Sequence, residues 1–191
     1  MGDERSFSGK GVFPSRYAFT LLLPFRKLIL SPKKLLEQIK PEASSTILEV
    51  GPGPGFFSIE VAKAVPEGKL ILFDIQREML DKAELRLKRK GINNVEFVKS
   101  DGKQFPFPDK KFDIIFLVTV LGEVENKDLY LREFRRILKD GGIVSISEQS
   151  GDPDLMTVEE LRTIFSNNEF KLIEKYVKRF YYTLIFKKNQ S

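Results

Sequence analysis

Between an apolar run and an apolar-periodic segment the chain reads Ile47-Leu48-Glu49-Val50-Gly51-Pro52-Gly53-Pro54-Gly55-Phe56-Phe57. One acidic residue and then three glycines at alternate positions predict a strand, a glycine loop and the start of a helix. Glycine lacks a Cβ, so such a loop can take positive φ and let a ligand approach the backbone closely. Standing alone, the stretch reads equally as a plain strand-to-helix turn. The elements that follow decide between the two.

A strand at 46–50 and a helix over roughly 56–64 lead to a second strand, Lys69-Leu70-Ile71-Leu72-Phe73-Asp74, which ends on a carboxylate 19 residues after Gly55. One carboxylate at such a strand tip can accept from both hydroxyls of a ribose diol. A charged amphipathic helix over 76–90, closed by Gly91, precedes a third strand at Val95 to Lys99 and then Ser100-Asp101-Gly102. Phe105-Pro106-Phe107-Pro108-Asp109 reads as a proline-restricted edge crossing. Phe112 to Val118 is apolar nearly throughout, as a central parallel strand covered on both faces should be. A helix over 126–139 is expected to end at Asp140-Gly141-Gly142, with a fifth strand at Ile143 to Ser147 and a polar loop from Glu148 to Asp154. Thr157, with Glu160 as reciprocal partner, caps a helix running to about Ser166. Phe170 to Val177 and Phe180 to Phe186 are too close for a helical crossover and so should pair antiparallel.

Strands alternating with helices five times predict an α/β fold: a doubly wound, Rossmann-like, mostly parallel sheet with helices on both faces and ligand sites at the carboxyl ends of the strands. Glu49, Asp74, Asp101 and Glu148 all fall at such ends. Ahead of this domain, residues 1–40 read as an N-terminal segment of short helices, near 15–22, 25–30 and 32–39, the last with Ser31 as N-cap and Pro32 at its first position. From Lys10 to Lys40 there are seven basic residues and one acidic one, mixed with Phe13, Tyr17, Phe19 and Phe25. Such a segment covers something: it reads as a lid over the domain, and the other readings are contact with a membrane surface or lipid-like substrate and contact with nucleic acid.

The 191 residues suffice for one domain that buries roughly 70% of its unfolded surface. With no cysteine and no histidine, thiolate nucleophiles, imidazole bases, disulfides and the usual zinc or haem ligands are excluded, and no metal is expected. A net charge of +5 gives a mild preference for anionic partners. No spanning-length apolar run and no signal-peptide pattern occur, so a cytoplasmic location is the default expectation.

Charge discriminates between the ligands a glycine-looped, acid-bearing edge can take. A dinucleotide pyrophosphate wants Gly-x-Gly-x-x-Gly and a helix N-terminus free of negative charge. Here the spacing is Gly-x-Gly-x-Gly with Glu49 ahead of it, which opposes a pyrophosphate and suits a ligand bearing an ammonium and a sulfonium. S-adenosylmethionine is such a ligand, with a ribose for Asp74 and an exocyclic amine for Asp101.

From about Pro32 onward the chain resembles the class I S-adenosylmethionine-dependent methyltransferases, closest to the type found in quinone biosynthesis (the type 11 group). The resemblance is carried by Leu48 to Gly55, Phe73-Asp74-Ile75, Ser100-Asp101-Gly102, Phe112-Asp113-Ile114-Ile115 and Phe134-Arg135-Arg136-Ile137-Leu138-Lys139-Asp140-Gly141-Gly142. It implies a seven-stranded sheet with one antiparallel strand. It further implies that Gly51, Gly53 and Gly55 pass under the methionine portion of the cofactor, with Glu49 near its ammonium. Asp74 would hold the ribose and Asp101, beside Gly102, the adenine amine. Ile75 and Gln76 would neighbour the adenosine, and the backbone at Val118 and Thr119 would reach the methionyl end. The sequence departs from the family at Gly122, where relatives often carry a histidine.

Methyl transfer tolerates that loss, because the carbon is already activated and the enzyme contributes mainly alignment and desolvation. Tyr17, Thr119, Glu123 and Glu148 are the candidates for facing the methyl group, each with a structural alternative: lid packing, a loop hydrogen bond, a helix cap and a loop anchor. The resulting expectation is transfer of a methyl group to a small-molecule or lipid-like acceptor. The alternative is a protein of this fold that methylates or binds RNA or a protein partner; the absence of a basic, aromatic-interleaved stripe beyond residue 40 disfavours RNA. A nicotinamide dehydrogenase fails on the glycine spacing and on Glu49.

Overall fold

The computed structural model of the chain describes residues 30–189. Tyr17 and the helices expected over 15–22 and 25–30 lie outside the described residues. Seven strands form one sheet in the order β3-β2-β1-β4-β5-β7-β6: β1 (Thr46–Val50), β2 (Lys69–Asp74), β3 (Val95–Lys99), β4 (Phe112–Val118), β5 (Leu138–Gln149), β6 (Phe170–Val177) and β7 (Tyr181–Lys188). β1 to β5 pair in parallel, and β7 slots antiparallel between β5 and β6. The helices are α1 (Pro32–Ile39), α2 (Ser58–Ala64), α3 (Arg77–Lys88), α4 (Lys127–Ile137) and α5 (Val158–Asn167).

Alternation along the central strands builds two cores. Ile47, Leu70, Leu72, Ile114 and Phe116 bury one face against Leu35 and Ile39 of α1, Val61 of α2 and Leu80 and Leu87 of α3. Leu48, Val50, Ile71, Phe73, Ile115 and Leu117 bury the other against Tyr130, Leu131 and Phe134 of α4 and Leu161 and Phe165 of α5. Each strand is therefore apolar on both sides, which a doubly covered parallel sheet requires. Local signals agree with the packing. The Ser31 hydroxyl accepts the Lys34 N–H at the head of α1, and the Thr157–Glu160 capping box opens α5.

Three expectations are corrected. α4 stops at Ile137 and β5 begins at Leu138, five residues early, because Leu138 already pairs with Phe112. The register then jumps from Leu138 to Ile143 opposite Phe112 and Ile114. Asp140-Gly141-Gly142 therefore lies inside the strand rather than ending a helix: Gly141 takes φ +82, and a Cβ on Gly142 would lie 2.8 Å from the Asp113 carbonyl. The Lys139 ammonium reaches the Asp113 carboxylate across this excursion, at 2.8 and 2.9 Å. At its other end β5 continues through Glu148 and Gln149, expected in a loop, because β7 supplies partners: Glu148 faces Tyr182 and Gln149 faces Tyr181. The third correction concerns Phe105 and Phe107. They are core plugs, not an edge crossing, with rings 4.8 and 5.4 Å from that of Phe73. Arg136 on α4 fastens them by donating to both of their carbonyls.

Candidate active site

The carboxyl ends of β1, β2, β4 and β5 open into a cleft of about 1830 Å³. Its floor at one end is the glycine loop. Gly51, Gly53 and Gly55 stand at φ +66, +54 and +77, and a Cβ on Gly51 would come within 2.5 Å of Val120. Pro52 and Pro54 restrict the residues between them. The loop is tied at three points: the Gly51 N–H donates to Phe73 O at 2.9 Å, the Gly55 N–H to Pro52 O at 3.0 Å, and Arg86 of α3 to Pro54 O at 2.6 Å.

Two carboxylates face this floor, both nearly inaccessible to solvent. Glu49 is 3% exposed and accepts a hydrogen bond from Ser58 Oγ at 2.6 Å. Burial pushes its carboxyl up to about 8, against the lowering influence of Ser58, and the nearby Asp74 charge adds to the rise. Asp74 is raised to about 6, again by burial, although the backbone N–H groups of Gln76, Gly53 and Ile75 favour its charge. The Gln76 N–H lies 2.9 Å from Asp74 Oδ1. Among the described residues no lysine or arginine pairs with either carboxylate, so both lack the counter-charge that buried acids normally require.

Beyond Asp74 the cleft continues along Ile75, Gln76, Ser100, Asp101 and Gly102. Ile75 is 40% exposed, an apolar surface left open at the lip. Asp101 is exposed, and its Oδ1 accepts the N–H groups of Lys103 and Gln104 at 2.8 Å, which holds its carboxyl below the usual range. Tyr130 of α4 is hydrogen-bonded to Ser100 behind it.

The opposite end is built by Val118, Thr119, Val120, Glu123 and Gln149 to Pro153. Thr119 takes φ +54, a genuine outlier for a β-branched residue; it is held there by its N–H to Ser147 O and its hydroxyl to Val118 O, both 2.8 Å. A Cβ on Gly122 would sit 1.8 Å from the Asp154 carbonyl. The loop after β5 thus fills the space in which a histidine would stand. Gln149 lines the cleft at 6% exposure, and its Nε2 has no hydrogen-bond partner among the described residues.

Of the residues expected from sequence, Glu49, Gly51, Gly53, Asp74, Ile75, Gln76, Asp101, Gly102, Val118, Thr119 and Glu123 all line this one cleft. Gly55 does not; it supports the loop from beneath, packed on Ala83. Glu148 does not line the cleft either. It is 1% exposed with Oε1 unpartnered among the described residues, and burial pushes it up to about 8, helped by the charges of Asp152, Glu123 and Asp154. Sequence reasoning missed Gln149, Tyr130, Ser58 and Arg86. Ser58 sits in the segment where the new helix begins and so had a local signal. Arg86 and Gln149 had none, since their roles depend on contacts between distant elements.

Residues 41–189 match the family model described as a methyltransferase domain. The chain belongs to the methyltransferase-domain family. Among curated relatives, this family member is 34% identical over 131 residues to the ubiquinone/menaquinone biosynthesis C-methyltransferase UbiE of Shewanella frigidimarina, covering 68% of this chain and 51% of that one. It is 30% identical over 141 residues to the demethylmenaquinone methyltransferase of Geobacillus stearothermophilus, covering 73% of this chain and 60% of the other. The chain therefore spans somewhat over half the length of these curated relatives. Its fold superposes on a SAM-dependent methyltransferase from Aquifex aeolicus with a TM-score of 0.86 at 24% identity, over 92% of this chain and 98% of that one. Among the described residues of this methyltransferase-domain protein, no helix is long and apolar enough to cross a membrane.

Proposed function

We propose that the protein transfers a methyl group from S-adenosylmethionine to a small, lipid-like acceptor of the quinol class. The observation that carries this reading is the pair of buried carboxylates, Glu49 and Asp74, facing one glycine-floored cleft with no lysine or arginine paired to either among the described residues. A pyrophosphate would be repelled there, whereas an ammonium near Glu49 and a ribose diol at Asp74 would supply what each acid lacks. Gly51 and Gly53 admit the methionyl backbone, and Ile75 offers an apolar surface to the adenine, beside Asp101.

S-adenosylmethionine supplies an electrophilic methyl group on a sulfonium. The residues of the chain contribute alignment and exclusion of water. The strained Thr119 holds the end of β4 in place at the methyl-facing end, and the free Nε2 of Gln149 is a donor for an acceptor oxygen. Glu123 lines the same end and is the carboxylate proposed to take the phenolic proton as the ring carbon attacks the methyl. The ring C–H proton then passes to the freed oxygen as the ring re-aromatises, so one proton is released per transfer. Glu148 lies behind Glu123 as a buried acid that responds to its charge. The segment ahead of α1, with Tyr17, is the proposed cover over the acceptor. The quinol class is supported by the two quinone-pathway relatives.

The test is incubation with methyl-labelled S-adenosylmethionine and a reduced 2-polyprenyl-1,4-naphthoquinone. Label in the ring is expected. Label absent from the quinol but present in another component of a lipid or metabolite extract would overturn the acceptor class and leave the cofactor standing.

A further inference from the structure

The hairpin joining β6 to β7 carries a surface that the cleft chemistry does not use. β6 is the edge strand of the sheet, and the hairpin closes with Lys178 N–H donating to Tyr181 O at 2.9 Å, leaving Arg179 and Phe180 as a two-residue tip. Two-residue hairpin tips favour asparagine, aspartate and glycine; an Arg-Phe tip forgoes that preference. Val177 is 55% and Phe180 50% exposed, and Lys175, Lys178 and Arg179 around them are exposed too. The Arg179 guanidinium lies 5.1 Å from the centre of the Phe180 ring, so charge and apolar surface project together. The one acid between residues 170 and 180, Glu174, is engaged by Lys40 and Tyr176.

The place of this tip matters as much as its composition. β7 runs antiparallel to β5, so the hairpin lies at the carboxyl end of the sheet, where the cleft opens. Tyr181 pairs with Gln149, and the N–H of Ser150, a cleft-lining residue, donates to Phe180 O at 2.8 Å. An apolar pair ringed by cations at the rim of the cleft matches the interface of an anionic bilayer: Val177 and Phe180 enter the acyl boundary, and Lys175, Lys178 and Arg179 meet the headgroup charge. Lys171 and Lys175, exposed on this edge strand, are the kind of charged residue that disfavours pairing with a second copy.

We propose that the Lys175–Phe180 hairpin docks the protein on anionic lipid bilayers, with the cleft mouth held at the membrane surface. The hairpin is remote in sequence from the basic N-terminal segment, and the proposal does not depend on the acceptor's identity.

Flotation of the full chain with phosphatidylcholine vesicles, with and without phosphatidylglycerol, tests it without cofactor or acceptor. Binding is expected to the anionic vesicles only and to weaken with salt. Replacing Lys178→Gln and Arg179→Gln together should lower partitioning by about 25-fold, at about fivefold per charge. Phe180→Ser should lower it by about tenfold. Both variants should keep the wild-type melting temperature and affinity for S-adenosylhomocysteine. Failure of the wild-type chain to bind would overturn the proposal, as would variants that bind like wild type, which would move the contact to the N-terminal segment. Loss of self-association in the variants, seen by sedimentation velocity without vesicle binding by wild type, would assign the edge to a second copy. Tighter binding of single-stranded RNA than of vesicles would assign it to nucleic acid.

Discussion

The glycine-loop end of the cleft and the β5 end differ in how their polar groups are satisfied. At the first, Asp74 is held by three backbone N–H groups, Glu49 by Ser58, and the loop itself by Arg86. What these acids lack among the described residues is counter-charge. At the second, the Nε2 of Gln149 and the Oε1 of Glu148 have no partner among the described residues, and Thr119 is held in left-handed backbone geometry. The first end has its polar groups fixed in place and, in the proposed reading, receives an ammonium and a ribose diol. The second keeps one open donor in the cleft, the Gln149 Nε2, which the proposed acceptor would complete, and one buried acid behind it, Glu148.

The difference is broken most directly by Glu49→Gln. It removes the charge without the volume, and affinity for S-adenosylhomocysteine should fall by about 100-fold, as expected for a charged hydrogen bond lost from a buried site. Melting temperature should hold, because the free protein already carries much of this acid protonated at neutral pH. Unchanged affinity would detach Glu49 from the ligand.

Next in size is Gly51→Ala, which asks a side chain to take φ +66 and to displace Val120. A loss of about 1–3 kcal/mol is expected in denaturant titration, together with weakened ligand binding. A neutral result would mean that the loop relaxes freely.

The two buried glutamates, one at each end, separate by pH. Both hold protons in the folded state up to about pH 8 that the unfolded chain releases near 4.5. The folded state binds more protons in this window, so stability should fall as pH rises from about 5 to 8 and level off above it. Only Glu49 is linked to the ligand. Affinity for S-adenosylhomocysteine should rise with pH across the upper part of that window, by up to about tenfold per unit, and Glu49→Gln should flatten the rise. Glu148→Gln should reduce the slope of stability against pH and leave the slope of affinity intact. Affinity slopes altered equally by the two variants would dissolve the distinction between the ends.

The smallest effect concerns Gln149→Leu. The apparent KM for a quinol acceptor should rise about fivefold, the size of one neutral hydrogen bond, while S-adenosylhomocysteine affinity is unchanged. A matching loss in both would place Gln149 at the wrong end.

The same divide explains what could be read before the structure. The glycine loop, Glu49, Asp74 and Asp101 are legible as cleft-lining residues because each sits at its own strand end, and strand ends follow from local apolar runs. β1 to β4 begin and end where those runs do. β5 was misjudged at both ends, since Leu138 joins the sheet through Phe112 and Gln149 through Tyr181, pairings made across 26 and 32 residues of chain. Phe105 and Phe107 likewise look like loop residues until Phe73 and Arg136 receive them. Gly122 was legible as a missing histidine, but the reason for the gap, the Asp154 carbonyl in its place, is a tertiary fact. Glu148, expected in the loop after β5 and facing the methyl group, is part of the strand instead. Its alternation in a longer β5 puts it behind the cleft rather than within it.

The buried carboxylates at the glycine loop are proposed to select an ammonium-bearing adenosine ligand over a pyrophosphate. Calorimetric titration of the full chain with S-adenosylhomocysteine and with NAD at neutral pH measures this directly. One-to-one binding of S-adenosylhomocysteine with release of a proton, seen as a dependence of the heat on buffer ionisation, is expected, together with no binding of NAD. Binding of NAD without S-adenosylhomocysteine would contradict it.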